Sequence, residues 1–331
     1  NLWSKFPMYS RAKEIIQAIK DHNIIFIRSG TGSGKTVLTP KFVLHALEYK
    51  HKVLVTIPKK LPTHSSAEFA AQTLDVTLGE EVGFYFKGKR EINRGGKESI
   101  LTYTTSGSLL SRITGNDPQL LEYNALVIDE AHERSIQMDL QFLLIREVLR
   151  KRPDFKLVIM SATIDLQKFI DYFSDVGSYA EFDVGGETAK PITDYYLPKP
   201  AKDWKDNMID TIVRILKQSD DGDILGFVKS GGEGRQLCQK LKEASTKEGL
   251  KPFCVELESR SKFEVVNVER QITKEKFAIN MALYKTHPNA DPNSPYDRKV
   301  VFATNAAESS ITVDGIVFVI DSGLEYNDKY F

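Results

Sequence analysis

The sequence predicts an α/β protein of two domains, each built on a mainly parallel sheet, and three observations predict it. Short apolar runs rich in β-branched residues recur at Ile24, Val53, Ile100, Ala125 and Leu157 with helix-forming stretches between them, the alternation that builds βαβ units. A glycine-rich turn, Ser29-Gly30-Thr31-Gly32-Ser33-Gly34, joins the first of these runs to a helix. A polar, glycine-containing stretch from Val184 to Pro191 then breaks the series, and a second series follows through Ile224–Val228, Phe253–Leu257, Lys299–Ala303 and Ile316–Ile320. The boundary falls in the break, giving domains 1–187 and 188–331.

The elements follow in order. Ile24 to Ile27 is uniformly apolar and reads as a strand buried on both faces. From Lys35 onward, Val37, Leu38, Phe42, Val43, Ala46 and Leu47 form one apolar helical face. Ala125 to Ile128 is another buried-strand run, and it ends in Asp129-Glu130-Ala131-His132. Beyond it, Ile136, Leu140, Leu143, Leu144 and Val148 fall at helical spacing before Pro153 stops the helix. Residues 285–298, rich in Pro, Asn and Asp, read as a loop or insertion, and Glu258 to Gln271 has no assignable pattern.

The chemistry is concentrated at two strand ends. A glycine-rich turn from strand to helix aims backbone N–H groups and a helix N-terminus at one point, which is a cradle for phosphate. Gly30, Thr31, Gly32, Ser33, Gly34, Lys35 and Thr36 are therefore the candidate nucleotide-binding residues. Lys35 is placed to reach the β and γ phosphates, and the Thr36 hydroxyl to ligate Mg²⁺. Ligands of open α/β sheets collect at the carboxyl ends of the strands, so Asp129 and Glu130 face the crevice that Lys35 faces. Asp129 is expected to hold Mg²⁺ through water, and Glu130 to polarise the attacking water in NTP hydrolysis. The strict phosphate-loop pattern has Gly at position 29, where this chain has Ser.

With these motifs in this order, the sequence resembles the DEAH-box RNA helicases of superfamily 2, with a looser likeness to flavivirus-type helicases. Phe6-Pro7-Met8-Tyr9 and a helix from Arg11 to Ile19 resemble the segment leading into the phosphate-loop strand, and Leu78-Gly79-Glu80-Glu81-Val82-Gly83 a later landmark. The resemblance implies two tandem RecA-like domains and ATP-dependent, 3′-to-5′ translocation or unwinding of RNA, with other NTPs accepted and DNA a possible substrate. An NTP-switched clamp that binds RNA without processive unwinding is the alternative. The helicase resemblance adds His132 to the catalytic set and Asp314 to the nucleotide contacts. It makes Lys59 and Lys60, Thr105 and Ser106, Lys229 and Ser230, and Thr304 and Asn305 the nucleic-acid contacts, and Ser161 and Thr163 the residues coupling hydrolysis to movement. Departures occur at Lys59-Lys60, where the family carries arginines, at Lys229-Ser230-Gly231, where it carries Thr-Gly-Gln, and at Lys87, which takes the place of an arginine that stacks on adenine. A sixth, arginine-bearing motif is expected after Asp321 and is not found before Phe331, so the second domain is expected to be incomplete and its turnover weak.

Composition bounds the rest. In 331 residues, 41% hydrophobic, 10% aromatic and 27% charged are globular values, and no apolar run has the length of a membrane span. Lys plus Arg equals Asp plus Glu at 45 each, so a polyanion must be met by local arrangement rather than by net charge. Cys238 and Cys254 have no histidine neighbours and are expected as reduced thiols. An intracellular protein, cytoplasmic or nuclear, fits such usage.

Overall fold

A computed structural model describes residues 2–30, 32–162, 166–185, 192–257, 298–304 and 315–324. It divides into two compact units, Asn1–Thr193 and Asp194–Phe331. Thr31, Thr163, Asn305 and Asp314 lie outside the described residues, as do Glu258 to Gln271 and all of 285–298 except Arg298.

In the first unit, helices α1 (Pro7–Ser10) and α2 (Ala12–Asp21) precede β1 (Ile24–Ser29) and α3 (Lys35–Ala46). There follow β2 (Val53–Ile57), α4 (Lys60–Leu74), β3 (Val82–Phe86), β4 (Lys89–Glu91), β5 (Leu101–Thr105), α5 (Ser106–Thr114) and β6 (Ala125–Ile128). The unit closes with α6 (Ile136–Lys151), β7 (Lys156–Ser161), α7 (Leu166–Phe173) and β8 (Tyr179–Gly185). The sheet runs β4-β3-β5-β2-β6-β7-β1-β8. Every neighbouring pair is parallel except the β3–β4 hairpin. The central strands β2, β5 and β6 are buried at every position, which is why they read as unbroken apolar or Thr-rich runs. Ile24, Phe26, Leu54, Leu126, Ile128, Leu157 and Ile159 pack against Leu109 of α5, Met138, Phe142 and Ile145 of α6, and Phe169 and Phe173 of α7.

Parallel pairing has one consequence for function. The carboxyl ends of β1, β2, β5, β6 and β7 emerge on one edge of the sheet, so the segments following Ser29, Ile57, Thr105, Ile128 and Ser161 all converge there.

The second unit holds α8 (Trp204–Gln218), β9 (Asp223–Phe227), α9 (Gly231–Lys247), β10 (Pro252–Leu257), β11 (Arg298–Ala303) and β12 (Ile316–Asp321), in a parallel sheet of order β10-β11-β9-β12. Its buried cluster joins Ile224, Val300 and Phe302 to Met208, Ile212, Leu237 and Leu241. Arg298 is a strand residue rather than part of a loop. It is buried, and its guanidinium donates to the carbonyls of Ser219 at 2.6 Å, of Ile215 and of Gly222.

One expectation is corrected. Cys238 and Cys254 are not free thiols but form a disulfide. The reason is the crossover: α9 runs directly into β10 and packs on it, bringing the two Cα atoms to 5.6 Å, within the span a disulfide bridges. The bridge removes the thiol-based ground for the intracellular expectation.

Candidate functional site

The phosphate-loop turn is shaped by glycines and fastened by residues outside it. Gly32 and Gly34 take positive φ values of 78° and 87°, the left-handed region that side chains disfavour. A Cβ on Gly34 would stand 2.6 Å from Cγ of Phe6, whereas one on Gly32 would meet nothing within 4 Å. Phe6 therefore lies directly on the loop backbone, and Met8 N–H donates to the Ser33 carbonyl at 3.1 Å. The serine at position 29 also has a partner, since its hydroxyl and that of Ser33 are 2.8 Å apart and both are buried. These fastenings belong to Phe6 and Met8, which the sequence marked only as part of the segment leading into the phosphate-loop strand and not as site residues.

At the start of α3 the two strand ends meet. The Thr36 hydroxyl donates to Asp129 Oδ2 at 2.5 Å, and Lys35 Nζ lies 3.2 Å from Glu130 Oε1, both side chains being largely buried. Asp129 is fixed from its own backbone outward: its N–H donates to the Thr56 carbonyl at 3.0 Å, and its Oδ1 accepts from Glu130 N–H at 2.8 Å. Burial, and then the Glu130 charge, push the Asp129 carboxyl up to about 6, against the opposing pull of Lys35 and the Thr36 hydroxyl. Glu130 itself adopts a left-handed backbone, φ 55° and ψ 41°, a sparsely populated conformation for a residue with a side chain. That twist turns the chain out of β6 and aims the carboxylate back at Lys35.

From Glu130 the contacts continue. His132 Nε2 is 3.3 Å from Glu130 Oε2, and His132 Nδ1 is 3.3 Å from the Ser161 hydroxyl at the end of β7. Lys35, Glu130, His132 and Ser161 thus form one unbroken line across three strand ends. Lys59 Nζ pairs with Glu133 Oε1 at 3.4 Å, and Lys60 Nζ lies 5.9 Å from the Phe86 ring centroid. Glu133, which no motif reading singled out, ties the loop after β2 to the turn after β6.

Thr105 and Ser106 are buried as the chain stands. The Thr105 hydroxyl donates to that of Ser108 at 3.1 Å, and the Ser106 carbonyl accepts from Gln141. Gly107 and Ser108, the next residues of α5, are partly exposed. Lys87 is exposed at the tip of the β3–β4 hairpin. In the second unit, Lys229 pairs with Glu233 at 3.4 Å, and the Ser230 hydroxyl caps α9 by accepting from Glu233 N–H at 3.3 Å. Thr304 follows β11 directly.

This architecture is the RecA-like α/β fold, with a glycine-rich phosphate-loop turn and a carboxylate pair at adjoining strand ends. Residues 9–171, within the first unit, match the DEAD/DEAH box helicase family. The chain is also 36% identical, over 331 residues, to a protein of Acanthamoeba polyphaga mimivirus named "Putative ATP-dependent RNA helicase". That alignment covers 99% of this chain and 44% of the mimivirus protein, so the chain spans less than half the length of that relative.

Proposed function

We propose that the chain is the motor core of a DEAH-type, ATP-dependent RNA helicase that couples NTP hydrolysis to 3′-to-5′ movement along RNA. The observation that carries this reading is the line Lys35–Glu130–His132–Ser161 beside the Thr36–Asp129 pair. The mimivirus protein's name and the motif order support RNA as the substrate.

The donor set fits Mg²⁺. Two oxygen groups, the Thr36 hydroxyl and a buried carboxylate that resists ionising without a cation, stand 2.5 Å apart, and such a site favours a hard ion that keeps most of its water. Bound at Thr36 and Asp129, the ion would supply charge neutralisation for the phosphates. The chain's own residues do the rest. Gly30, Gly32, Ser33 and Gly34 present N–H groups to the phosphates, and Lys35 exchanges its Glu130 partner for phosphate oxygen. Glu130, released from Lys35, polarises water and accepts its proton. His132 relays the state of Glu130 to Ser161, while Lys59 and the α5 N-terminus hold the RNA backbone without reading its sequence.

The test is ATP turnover by the full chain with single-stranded RNA or DNA, followed by strand separation on duplexes with a 3′ or a 5′ tail. RNA should stimulate turnover more than DNA, and only the 3′-tailed duplex should be opened. Turnover indifferent to nucleic acid, or a 5′-tail preference, would refute the reading.

A further inference from the structure

The turn that opens α5 is held from below by the helix that follows the acidic motif. Gln141 of α6 is fully buried and donates from Nε2 to the backbone carbonyl of Ser106. One helical turn earlier, Gln137 lies against the same turn: a Cβ on Gly107 would stand 3.1 Å from its Oε1. Residues four apart share a helix face, so α6 holds the Ser106–Gly107 turn with the Gln141 amide and sets the Gln137 amide against it.

A buried amide in a helix interior is costly unless it does something an apolar residue cannot. Met138, Phe142 and Ile145 already supply the apolar packing of this face. The surroundings of Gln141 are polar in a way packing does not require. Gln141 Oε1 and the hydroxyls of Thr56, Thr104 and Ser106 are all buried without a hydrogen-bond partner. Thr56 is in register with both Thr104 and Ile128, and Ile128 packs in the cluster that contains Leu109, Met138 and Phe142, so the two threonines lie on the sheet face that α5 and α6 cover. The Thr56 carbonyl, moreover, accepts the Asp129 N–H.

We propose that Gln141, assisted by Gln137, is a positioning residue that fastens the Ser106–Gly107 turn to α6, so that nucleic acid engaging this turn is felt at Asp129 and Glu130. The proposal rests on the helicase reading above, since it presupposes that the turn meets RNA. It goes beyond that reading in assigning the coupling to two glutamines of α6.

The experiment compares the parent with Gln141→Met, which keeps the volume and loses the donor, and with Gln137→Ala, at a more exposed position. ATP turnover is measured without RNA and with saturating poly(U), and poly(U) affinity by fluorescence anisotropy. Gln141→Met should keep RNA-free turnover and poly(U) affinity within about twofold while its RNA stimulation falls about tenfold, the scale of one lost hydrogen bond to a buried carbonyl. Gln137→Ala should lose about threefold of stimulation. Undiminished stimulation in folded Gln141→Met overturns the proposal, and so does an equal loss with and without RNA, the mark of a merely structural role. Should Gln141→Met fail to fold, Gln137→Ala decides alone, and parental stimulation there overturns it. A parent that RNA does not stimulate refutes the helicase reading itself, an outcome visible before any variant is made.

Discussion

Glu130→Gln separates binding from turnover, and the structure gives each effect a size. Lys35 and Glu130 form an ion pair at 3.2 Å with side-chain exposures of 6% and 17%. Removing one member of such a pair strands the other, which costs about 3–5 kcal/mol when burial is complete and about 2 kcal/mol with this much solvent. In a domain of this size that is a fall in melting temperature of roughly 4–8 °C. The polyphosphate of a non-hydrolysable ATP analogue supplies the missing negative charge, so it should restore the melting temperature. The same argument sets affinity. In the parent, phosphate must displace Glu130 from Lys35; in the variant it meets a neutral amide, and the analogue should bind about tenfold tighter, a gain of about 1.4 kcal/mol. Asp129 also loses the like charge that helps hold it near 6, which favours the ionised form a metal needs. Turnover should nevertheless fall by ~10²-fold or more, because the amide cannot accept a proton. The assays are steady-state phosphate release, analogue binding by fluorescence and thermal melting with and without the analogue. Turnover within a factor of two of the parent, or weaker analogue binding, would show that Glu130 only positions Lys35.

Four further outcomes are expected. Gly34→Ala, strained at φ 87° and driven into Phe6, should abolish nucleotide-induced thermal stabilisation, while Gly32→Ala, strained but unobstructed, should only weaken it; equal effects would discount the Phe6 contact. Burial holds the Lys41 ammonium down to about 8 from 10.5, so the folded chain binds fewer protons than the unfolded one across that window. Stability should therefore rise with pH from about 8 to 10.5, and melting curves of Lys41→Met against the parent should show that increment vanish. GTP, CTP and UTP should be hydrolysed at rates comparable with ATP, because the phosphates are the anchored part and base stacking is tolerant of identity; a strong ATP preference in phosphate-release assays would reveal a base-edge contact. Alkylation of the denatured, unreduced protein should add no mass, and reduction should expose two thiols and destabilise the second unit by about 3 kcal/mol; a labelled thiol before reduction would refute the Cys238–Cys254 bond.

What the sequence made legible follows from how locally each feature is encoded. Strands β1, β2, β5, β6 and β7 are sandwiched by helices, so their apolar runs are continuous and visible in isolation. Strand β8 lies at the sheet edge and alternates between partly buried and exposed residues, so it shows no apolar run, and its last two residues, Val184 and Gly185, fall in the stretch that reads as a break. Strands β3 and β4 escaped for a related reason: Val82-Gly83-Phe84-Tyr85-Phe86 carries a glycine, and Lys89 to Glu91 is all charge. The site divides the same way. Lys35, Thr36, Asp129 and Glu130 announce themselves because phosphate and metal chemistry demands those residue types at strand ends. Phe6 on Gly34, Glu133 on Lys59 and Gln141 on Ser106 do not, because each pairs an ordinary side chain with a group distant in sequence that only the completed sheet brings near. The helix after the acidic motif shows the principle most clearly. Its periodicity grouped Ile136, Leu140 and Leu143 with Leu144 and Val148, yet the first three are exposed and only the last two pack on the core, and it was silent on Gln141, a polar residue at a core position that reads as noise in the pattern. In the folded chain that glutamine hydrogen-bonds the turn that opens α5 to the helix that follows the acidic motif. A chemical step and a binding step can be coupled only through such contacts, so the residues that couple them are the ones a linear motif is least able to display.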